Sequence, residues 1–298
     1  MYPAGFEYLV PASLSEALQM LASTEDAKVI AGGQSLIPMM KLRFARPSTL
    51  IDLAHIKGLD QLTETDDELQ VGAMMTHAAL AGSEVLQARY PVMASAAPQI
   101  ADPIVRNRGT IGGSIAHADP AGDWSSVMMA LSASVVAQSV RGSRVIAIDD
   151  LLVGAYTTSL EPDEILTQIR IPRSAGQAGG TYVKLERKVG DFATVAVAVQ
   201  LELASEGDPS APSATSTIAG AGIALTAVAS ASVRATAAED FLAGQAPGPD
   251  AWNTAADLAA DAADPTSDVR GSADYKRDVV RVFVRRGLAR AHQLASAA

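Results

Sequence analysis

Two paired-glycine segments constrain the fold of this chain more than any other feature of its sequence. They are Ala31-Gly32-Gly33-Gln34-Ser35, directly after a short apolar run, and Thr110-Ile111-Gly112-Gly113-Ser114. Glycine adopts positive φ without steric penalty and lets a ligand approach the backbone closely. Successive backbone N–H groups in such a turn can hold a diphosphate. Either segment alone is typical of a tight turn, but together they predict two loops that close on one phosphorylated ligand.

The sequence lacks the best-known nucleotide and hydrolase motifs. No glycine run fits the dinucleotide fingerprint G-x-G-x-x-G with its following acidic residue, and no P-loop G-x-x-x-x-G-K-[ST] occurs. The segment Gly33-Gln34-Ser35-Leu36-Ile37 lacks the last glycine of a nucleophile elbow. A Rossmann, P-loop or α/β-hydrolase site is therefore disfavoured.

Composition excludes several classes of function. The 298 residues carry a net charge of −10, which disfavours nucleic acid as a partner. The chain contains no cysteine, so it holds no disulfide and no Cys-ligated zinc or iron–sulfur cluster. His117 and Asp119 alone are too few ligands to indicate a metal site. The N-terminus does not resemble a signal peptide, and the longest apolar stretches are interrupted, so we expect neither secretion nor a transmembrane segment.

Hydrophobic periodicity predicts a mixture of helices and strands. Ser13 caps a helix, Thr76 is expected to begin another that runs to about Ala88, and 173–180 is the best internal boundary. From 195 to 203 apolar residues alternate with others, which predicts an antiparallel strand with one buried face. The segment 205–212 is predicted to be a hairpin or loop. Arg277, Arg281 and Arg285 form a basic stripe on the last helix, either a docking surface or a solvated face.

Three longer blocks carry a resemblance to a known family. They are Ala31 to Arg43 (AGGQSLIPMMKLR), Arg108 to Asp123 (RGTIGGSIAHADPAGD) and Tyr182 to Thr194 (YVKLERKVGDFAT). In this order they resemble the FAD-binding medium subunit of molybdenum hydroxylases, the family of carbon monoxide, xanthine and nicotine dehydrogenases. The resemblance covers essentially the whole chain.

The resemblance implies an α+β fold of the vanillyl-alcohol-oxidase (PCMH) type. Two FAD-binding subdomains, residues 1–55 and 56–175, would hold FAD between them. A C-terminal α+β domain with a small antiparallel sheet, residues 176–298, would cover the flavin side.

The resemblance also implies a set of FAD contacts. The two glycine segments would wrap the diphosphate and ribityl chain, Asp123 would bond a ribose or ribityl hydroxyl, Leu166 would lie near the ring system and Lys184 would approach the flavin. Ile100 matches a contact position that is aromatic in some relatives. The complete predicted set is Ala31, Gly32, Gly33, Gln34, Ser35, Leu36, Ile100, Ala101, Thr110, Ile111, Gly112, Gly113, Ser114, Asp123, Leu166 and Lys184.

In such a family the chain would be an oxidoreductase subunit that binds FAD non-covalently and transfers electrons. The molybdenum cofactor would lie on a large partner subunit and the 2Fe-2S clusters on a small one, in a dimer of heterotrimers. The location would be cytoplasmic, with the inner face of the membrane reached only through partners. Two alternatives remain open: a self-contained flavin reductase or oxidase of the same fold, and a non-catalytic subunit that binds a nucleotide to hold an assembly together.

Overall fold

Three main β-sheets organise the part of the chain that the structure describes. The structure is a computed structural model, and it describes residues 2–174, 176–204 and 217–297. One parallel sheet and two antiparallel sheets follow one another along the sequence. The mixed α+β fold predicted from the sequence is confirmed.

The first sheet is parallel and has the order β1-β3-β2. Its strands are β1 (Glu7–Leu9), β2 (Ala27–Ile30) and β3 (Thr49–Asp52). Parallel neighbours need a crossover, and helix α1 (Leu14–Ser23) supplies the first and helix α2 (Leu36–Lys41) the second. Ser13 caps α1 as predicted, because its side chain accepts a hydrogen bond from the Glu16 backbone N–H. The first glycine segment lies between β2 and α2.

The second sheet is antiparallel and has the order β4-β5-β10-β6-β7. Its strands are β4 (Leu62–Glu64), β5 (Glu68–Gly72), β6 (Ser134–Ser139), β7 (Gly142–Ala147) and β10 (Ile165–Pro172). A separate two-stranded ribbon pairs β8 (Leu152–Gly154) with β9 (Thr157–Thr158). The strand order means that β5 and β6, which are far apart in sequence, flank the same strand β10.

A group of short helices connects β5 to β6 and carries the second glycine segment. These helices are α3 (His77–Ala81), α4 (Glu84–Arg89), α5 (Pro91–Ala96), α6 (Pro103–Arg106), α7 (Ile111–His117) and α8 (Asp123–Ala130), and a further helix, α9 (Ile148–Leu151), follows β7. The single helix predicted from Thr76 to about Ala88 is wrong, because Ser83 accepts a hydrogen bond from the Leu86 N–H and caps a new helix there. Every residue of α8 is buried.

The third sheet is antiparallel, with its four strands in chain order. They are β11 (Gln177–Leu185), β12 (Val195–Leu203), β13 (Ile218–Thr226) and β14 (Val233–Arg234), and the helices α10 (Thr236–Leu242), α11 (Pro249–Ala262) and α12 (Ala273–Ala295) follow. The antiparallel strand predicted at 195–203 is confirmed, whereas the loop predicted at 205–212 lies outside the described residues.

Strand β12 is buried on both faces, so the prediction of a single buried face is wrong. Its larger residues pack into the core of the third sheet and its helices, and these are Val195, Val197, Val199, Leu201 and Leu203. Ala196 and Ala198, on the opposite face, belong to the core that also contains helix α8. Small side chains allow this approach: a Cβ at Gly222 of β13 would lie 1.9 Å from the Ala130 carbonyl oxygen at the end of α8. The alanines that read as a solvent face are therefore an internal contact.

The basic stripe of α12 contacts acidic groups of the same chain. Arg281 forms ion pairs with Asp257 and Asp278, and Arg277 forms ion pairs with Asp264 and Asp274. Arg285 donates a hydrogen bond to Asn253 of α11. The stripe therefore joins α12 to α11 and the segment that follows it.

Short connections separate the three sheets. Strand β3 ends at Asp52 and β4 begins at Leu62, while β10 ends at Pro172 and β11 begins at Gln177. The division into 1–55, 56–175 and 176–298 stays a prediction. Among the described residues, no helix combines the length and apolar character needed to cross a membrane.

Candidate functional site

The two glycine segments lie against each other. A Cβ placed on Gly32 would come within 2.1 Å of the Arg108 carbonyl oxygen and 2.8 Å of the Gly109 Cα. A Cβ on Gly113 would lie 3.6 Å from the Ala31 Cβ. The two segments are about 80 residues apart in sequence, at positions 32 and 112. They meet where the first sheet packs beside the helices that follow β5.

The first segment presents a row of unused backbone donors. Gly33 has a φ of 72°, and helix α2 begins with hydrogen bonds from the Ile37 N–H to the Gly33 carbonyl and from the Met39 N–H to the Ser35 carbonyl. Within the described residues, none of the five N–H groups from Gly32 to Leu36 has a hydrogen-bond partner. Successive free N–H groups around a left-handed residue form a concave site for an anion.

The second segment is not a loop, so that part of the prediction is wrong. Thr110 is the N-cap of helix α7, and its side chain accepts a hydrogen bond from the Gly113 N–H at 3.1 Å. The Ile111 N–H donates to the Met75 carbonyl at 3.0 Å, the Gly112 N–H to the Ala73 carbonyl at 2.9 Å and the Ser114 N–H to the Thr110 carbonyl at 3.0 Å. The N–H groups of residues 111–114 are therefore already satisfied within the chain.

The glycine at position 112 is required for packing. A Cβ there would lie 2.5 Å from the Ala73 Cβ and 2.7 Å from its carbonyl oxygen, distances that side chains do not adopt. Gly112 itself is one of the buried residues of helix α7. Its lack of a side chain lets helix α7 approach the end of β5, so the paired glycines here serve helix placement.

A buried histidine, which is hydrogen-bonded to a buried tryptophan, packs against Gly109 next to the second segment. The Trp124 Nε1–H donates to His77 Nδ1 at 3.0 Å, and Trp124 is fully buried. The His77 backbone N–H donates to the Gly109 carbonyl at 2.9 Å, and its ring lies 2.9 Å from a Cβ placed on Gly109. Burial lowers the pKa of His77 to about 4, assisted by the charge of Arg106. The ring is therefore neutral near pH 7, as a hydrogen-bond acceptor on Nδ1 must be.

Helix α8 begins with a buried acid that is bonded to strand β11. The Tyr182 hydroxyl donates to Asp123 Oδ1 at 2.6 Å, and Lys184 Nζ lies 3.1 Å from Oδ1 and 3.2 Å from Oδ2. Burial raises the pKa of Asp123, while Lys184 and Tyr182 counteract that rise. Burial and the nearby Asp123 raise the pKa of Tyr182. The side chain of Lys184 is 1% exposed, so it is not a surface lysine.

Strand β11 makes further hydrogen bonds to residues 95–99. The Tyr182 N–H donates to Ser95 Oγ at 2.7 Å, and the Tyr182 carbonyl accepts from Gln99 Nε2 at 3.2 Å. Lys184 Nζ also donates to the Gln99 carbonyl at 3.1 Å. These bonds fix β11 to the segment that contains Ile100 and Ala101.

The remaining predicted residues lie next to these bonds, at 100 and 101, and on strand β10. Ile100 is buried, and Ala101 adopts a φ of 49°, unusual for a residue other than glycine. A Cβ on Gly190, in the turn after β11, would lie 2.8 Å from the Ala101 carbonyl oxygen. Leu166 is buried on β10, next to a break in the register of its pairing with β6.

Comparisons with known proteins cover nearly the whole chain. The family described as the FAD binding domain in molybdopterin dehydrogenase matches residues 4–174, and the CO dehydrogenase flavoprotein C-terminal domain matches residues 180–291. The nicotine 6-hydroxylase medium subunit of Paenarthrobacter nicotinovorans is 41% identical over 95% of this chain and 96% of its own length. The carbon monoxide dehydrogenase medium chain of Hydrogenophaga pseudoflava is 41% identical over 97% of both chains.

Solved structures show the same fold. A chain of carbon monoxide dehydrogenase from Hydrogenophaga pseudoflava superposes with a TM-score of 0.91 at 42% identity, and covers 98% of this chain and 99% of its own. A chain of quinoline 2-oxidoreductase from Pseudomonas putida 86 superposes with a TM-score of 0.89 at 34% identity over 99% of both.

The chain belongs to the family of FAD-binding medium subunits of molybdenum hydroxylases. The resemblance stated from its motifs and the predicted fold are confirmed. FAD is the cofactor of this family, and the chain is a flavoprotein subunit of the oxidoreductase class.

The first glycine segment of this flavoprotein fits the diphosphate of an FAD. The first glycine segment offers unbonded donors for a diphosphate, and Gly33 holds a φ of 72°, which side chains rarely adopt. Among the described residues, no group of three or more His, Asp or Glu could hold a metal ion. Backbone N–H groups are donors, so the first segment suits an anionic diphosphate.

Sequence reasoning missed three residues of this site: His77, Trp124 and Tyr182. Each lies outside the glycine segments, and its role comes from a contact distant in sequence. The one available signal was that Tyr182 lies in the third resembling block, two residues before Lys184.

Proposed function

We propose that this medium-subunit flavoprotein binds FAD non-covalently where its two glycine segments meet. It would transfer electrons within a molybdenum-containing hydroxylase or dehydrogenase complex. The observation that carries this proposal is the row of five unbonded N–H groups from Gly32 to Leu36, with the second glycine segment packed against it. A bound pyrophosphate would supply acceptors for donors that have no partner within the described residues.

The two glycine segments would have different tasks. Residues 32–36 would donate their N–H groups to the diphosphate, with Ala31 and the Gln34 side chain beside them. Residues 110–114 would close the other side by shape and through side-chain hydroxyls, because the N–H groups of residues 111–114 are occupied. The residues that we assign to FAD are Ala31, Gly32, Gly33, Gln34, Ser35, Leu36, Ile100, Ala101, Thr110, Ile111, Gly112, Gly113, Ser114, Asp123, Leu166 and Lys184.

Asp123 and Lys184 would hold the flavin end of the site in place. Asp123 accepts from Tyr182 and Lys184, and a carboxylate oxygen can accept a further bond from a ligand hydroxyl. Bound FAD supplies the capacity to exchange electrons with both one-electron and two-electron partners. The chain contributes a preorganised site, since its polar side chains are already oriented by one another.

Partner subunits would supply the rest of the electron route. With no cysteine, the chain holds no Cys-ligated cluster, so it would receive electrons from 2Fe-2S clusters on a small subunit. A large subunit would carry the molybdenum cofactor, in a dimer of heterotrimers. A cytoplasmic location, with any attachment to the inner membrane face made through partners, completes the proposal.

The isolated chain provides the first test. We expect purified protein to be yellow and to release its flavin on mild denaturation. We further expect no reduction of that flavin by candidate organic substrates until the partner subunits are added. A colourless preparation that does not bind added FAD would contradict the proposal and favour a non-catalytic subunit. Rapid reduction by a substrate without partners would favour a self-contained flavin enzyme.

A further inference from the structure

Helix α7, which carries the second glycine segment, has one buried side and one partly open side. The buried side consists of Ile111, Gly112 and Ile115. Gly113, Ser114 and His117 are only partly buried. With about 3.6 residues per turn, His117 lies directly opposite the buried side, at an angle between those of Gly113 and Ser114. The three residues therefore share one face of the helix.

This face of α7 is turned toward the first glycine segment. A Cβ on Gly113 would lie 3.6 Å from the Ala31 Cβ, and Ala31 directly precedes the N–H row of residues 32–36. His117 follows Gly113 by four residues, so the two are neighbours on the helix surface, about 5–6 Å apart. Side chains on a helix lean toward its N-terminus. His117 is therefore directed back toward Gly113, beside the place where the two segments meet.

The ring of His117 is held in place, but its nitrogens are not used. It lies against the ring of Tyr156, with 5.1 Å between the ring centroids. The Tyr156 N–H donates to the Ala118 carbonyl at 2.9 Å, which fixes Tyr156 beside the end of α7. Among the described residues, neither imidazole nitrogen of His117 has a hydrogen-bond partner, and neither is shielded from solvent. Both nitrogens are therefore open to a ligand.

Helix α7 needs a side chain if it is to donate to the diphosphate. The N–H groups of residues 111–114 are bonded within the chain, so its backbone offers no further donor there. Burial lowers the pKa of His117, and the charge of Asp119 opposes that change. A neutral imidazole still keeps one N–H donor, and a phosphate oxygen is a strong acceptor.

We propose that the imidazole of His117 donates a hydrogen bond to a phosphate oxygen of the FAD diphosphate. The ligand would then be held by backbone N–H groups from the first segment and by a side-chain N–H from α7. Tyr156 orients the ring that donates. This inference rests on the proposed function, and it gives a role to a histidine that the glycine motifs do not include.

The first test measures the Kd of the full, flavin-free chain for FAD and for ADP by titration calorimetry. His117→Phe keeps a ring against Tyr156 but removes both nitrogens, and His117→Gln restores an N–H donor. His292→Phe is the matched control, because His292 is also partly buried and lies 6.0 Å from an aromatic ring, that of Trp252, on the last helix. ADP contains the diphosphate but lacks the flavin and ribityl half.

For His117→Phe we expect the Kd for FAD and the Kd for ADP to rise by a similar factor, about tenfold or about 1.4 kcal/mol. His117→Gln should recover most of this loss, and His292→Phe should bind both ligands like the wild type. Unchanged affinity, a loss confined to FAD, or a loss that glutamine does not reduce would overturn the inference. Failure of the wild-type chain to bind FAD and ADP would instead refute the proposed function.

The second test locates the contact on the diphosphate. The chain contains four histidines, so the nitrogen resonances of its imidazoles can be followed by NMR after labelling with 15N-histidine. We expect inorganic pyrophosphate alone to shift one imidazole signal, and that signal should be missing in His117→Phe. A His117 signal that moves with ADP but not with pyrophosphate would place the contact on the adenosine and overturn the inference.

Discussion

The two glycine segments look alike in sequence and differ in what their backbones do. From Gly32 to Leu36 the N–H groups have no hydrogen-bond partner in the described part of the chain, whereas those from Ile111 to Ser114 are all bonded within it. Gly33 has positive φ, while Gly112 and Gly113 lie in the first turn of helix α7. One pair of glycines prepares a binding surface, and the other brings a helix close to a strand.

The difference teaches that glycine is selected for two separate physical reasons. Positive φ and free donors indicate ligand binding. The absence of Cβ against a neighbouring backbone indicates close packing. Substitutions at these glycines should therefore separate loss of the fold from loss of the ligand.

Gly112→Val should have the largest effect, and it should act on the fold. The added Cβ would meet the Ala73 Cβ and carbonyl oxygen at 2.5 and 2.7 Å, and both atoms belong to a buried segment. We expect a loss of about 4 kcal/mol or more in the free energy of unfolding, measured by urea denaturation of the flavin-free protein. A variant that is as stable as wild type but unable to bind FAD would show that the second segment faces the ligand after all.

Gly32→Ala should come next, because it acts on the contact between the two segments. Its Cβ would lie 2.1 Å from the Arg108 carbonyl oxygen, so the segments must separate. We expect a loss of about 3 kcal/mol in stability together with loss of FAD, since the N–H row and its opposing wall move apart. Thermal unfolding and flavin content measure the two effects, and retention of either one would contradict this description of the contact.

The free energy of unfolding should depend on pH through His77, which packs next to the second segment. Burial lowers the pKa of His77 to about 4 in the folded chain, against the ordinary histidine value of 6.5. The folded state therefore binds fewer protons than the unfolded state between these values, and stability is lost as the pH falls below 6.5. Linkage gives a loss of about 2 kcal/mol from His77 between pH 7.5 and pH 5.

His77→Asn isolates this contribution, because its amide oxygen can still accept from Trp124 but does not titrate. Urea denaturation across that pH range should show a shallower decline for the variant than for wild type. Parallel declines in the two proteins would mean that His77 is not held neutral by burial.

Gly33→Ala should have the smallest effect on stability and a clear effect on the ligand. Alanine at a φ of 72° costs about 1–2 kcal/mol, and relief of that strain would turn the N–H groups away from the diphosphate. We expect the Kd for FAD to rise at least tenfold, or about 1.4 kcal/mol. Gly58→Ala is the matched control, with a φ of 87° and open space around its Cβ; it should lose similar stability and keep its affinity for FAD. Equal affinity in the two variants would remove the proposed role of the first segment.

Much of the fold could be predicted from local patterns. The cap at Ser13 and the antiparallel strand at 195–203 each depend on neighbouring residues, and each appears in the structure. The errors came from distant contacts. Nothing near 196 and 198 in sequence reveals that helix α8 covers those alanines, and the extra cap at Ser83 competed with a continuous apolar pattern.

The candidate site divides in the same way. Its glycines could be found because their chemistry is local, and the three blocks placed them in a known family. The pairing of Asp123 with Tyr182 and Lys184 joins residues about 60 apart, and the bond from Trp124 to His77 joins residues 47 apart. Spacing in the sequence carries no information about such pairs, so their partners became visible only in the structure.

The two-sided burial of β12 has a consequence for protein engineering. Ala196 and Ala198 share a core with α8, and a Cβ at Gly222 of β13 would collide with the end of that helix. The C-terminal part of one medium subunit should therefore not be interchangeable with that of another unless both surfaces are transplanted together. Chimaeras can be made that join the flavin-binding part of this chain to the C-terminal part of another medium subunit. They should fold only when that subunit also has small residues at the positions of Ala196, Ala198 and Gly222. Recombination within this family is thus constrained by an internal contact as well as by the cofactor.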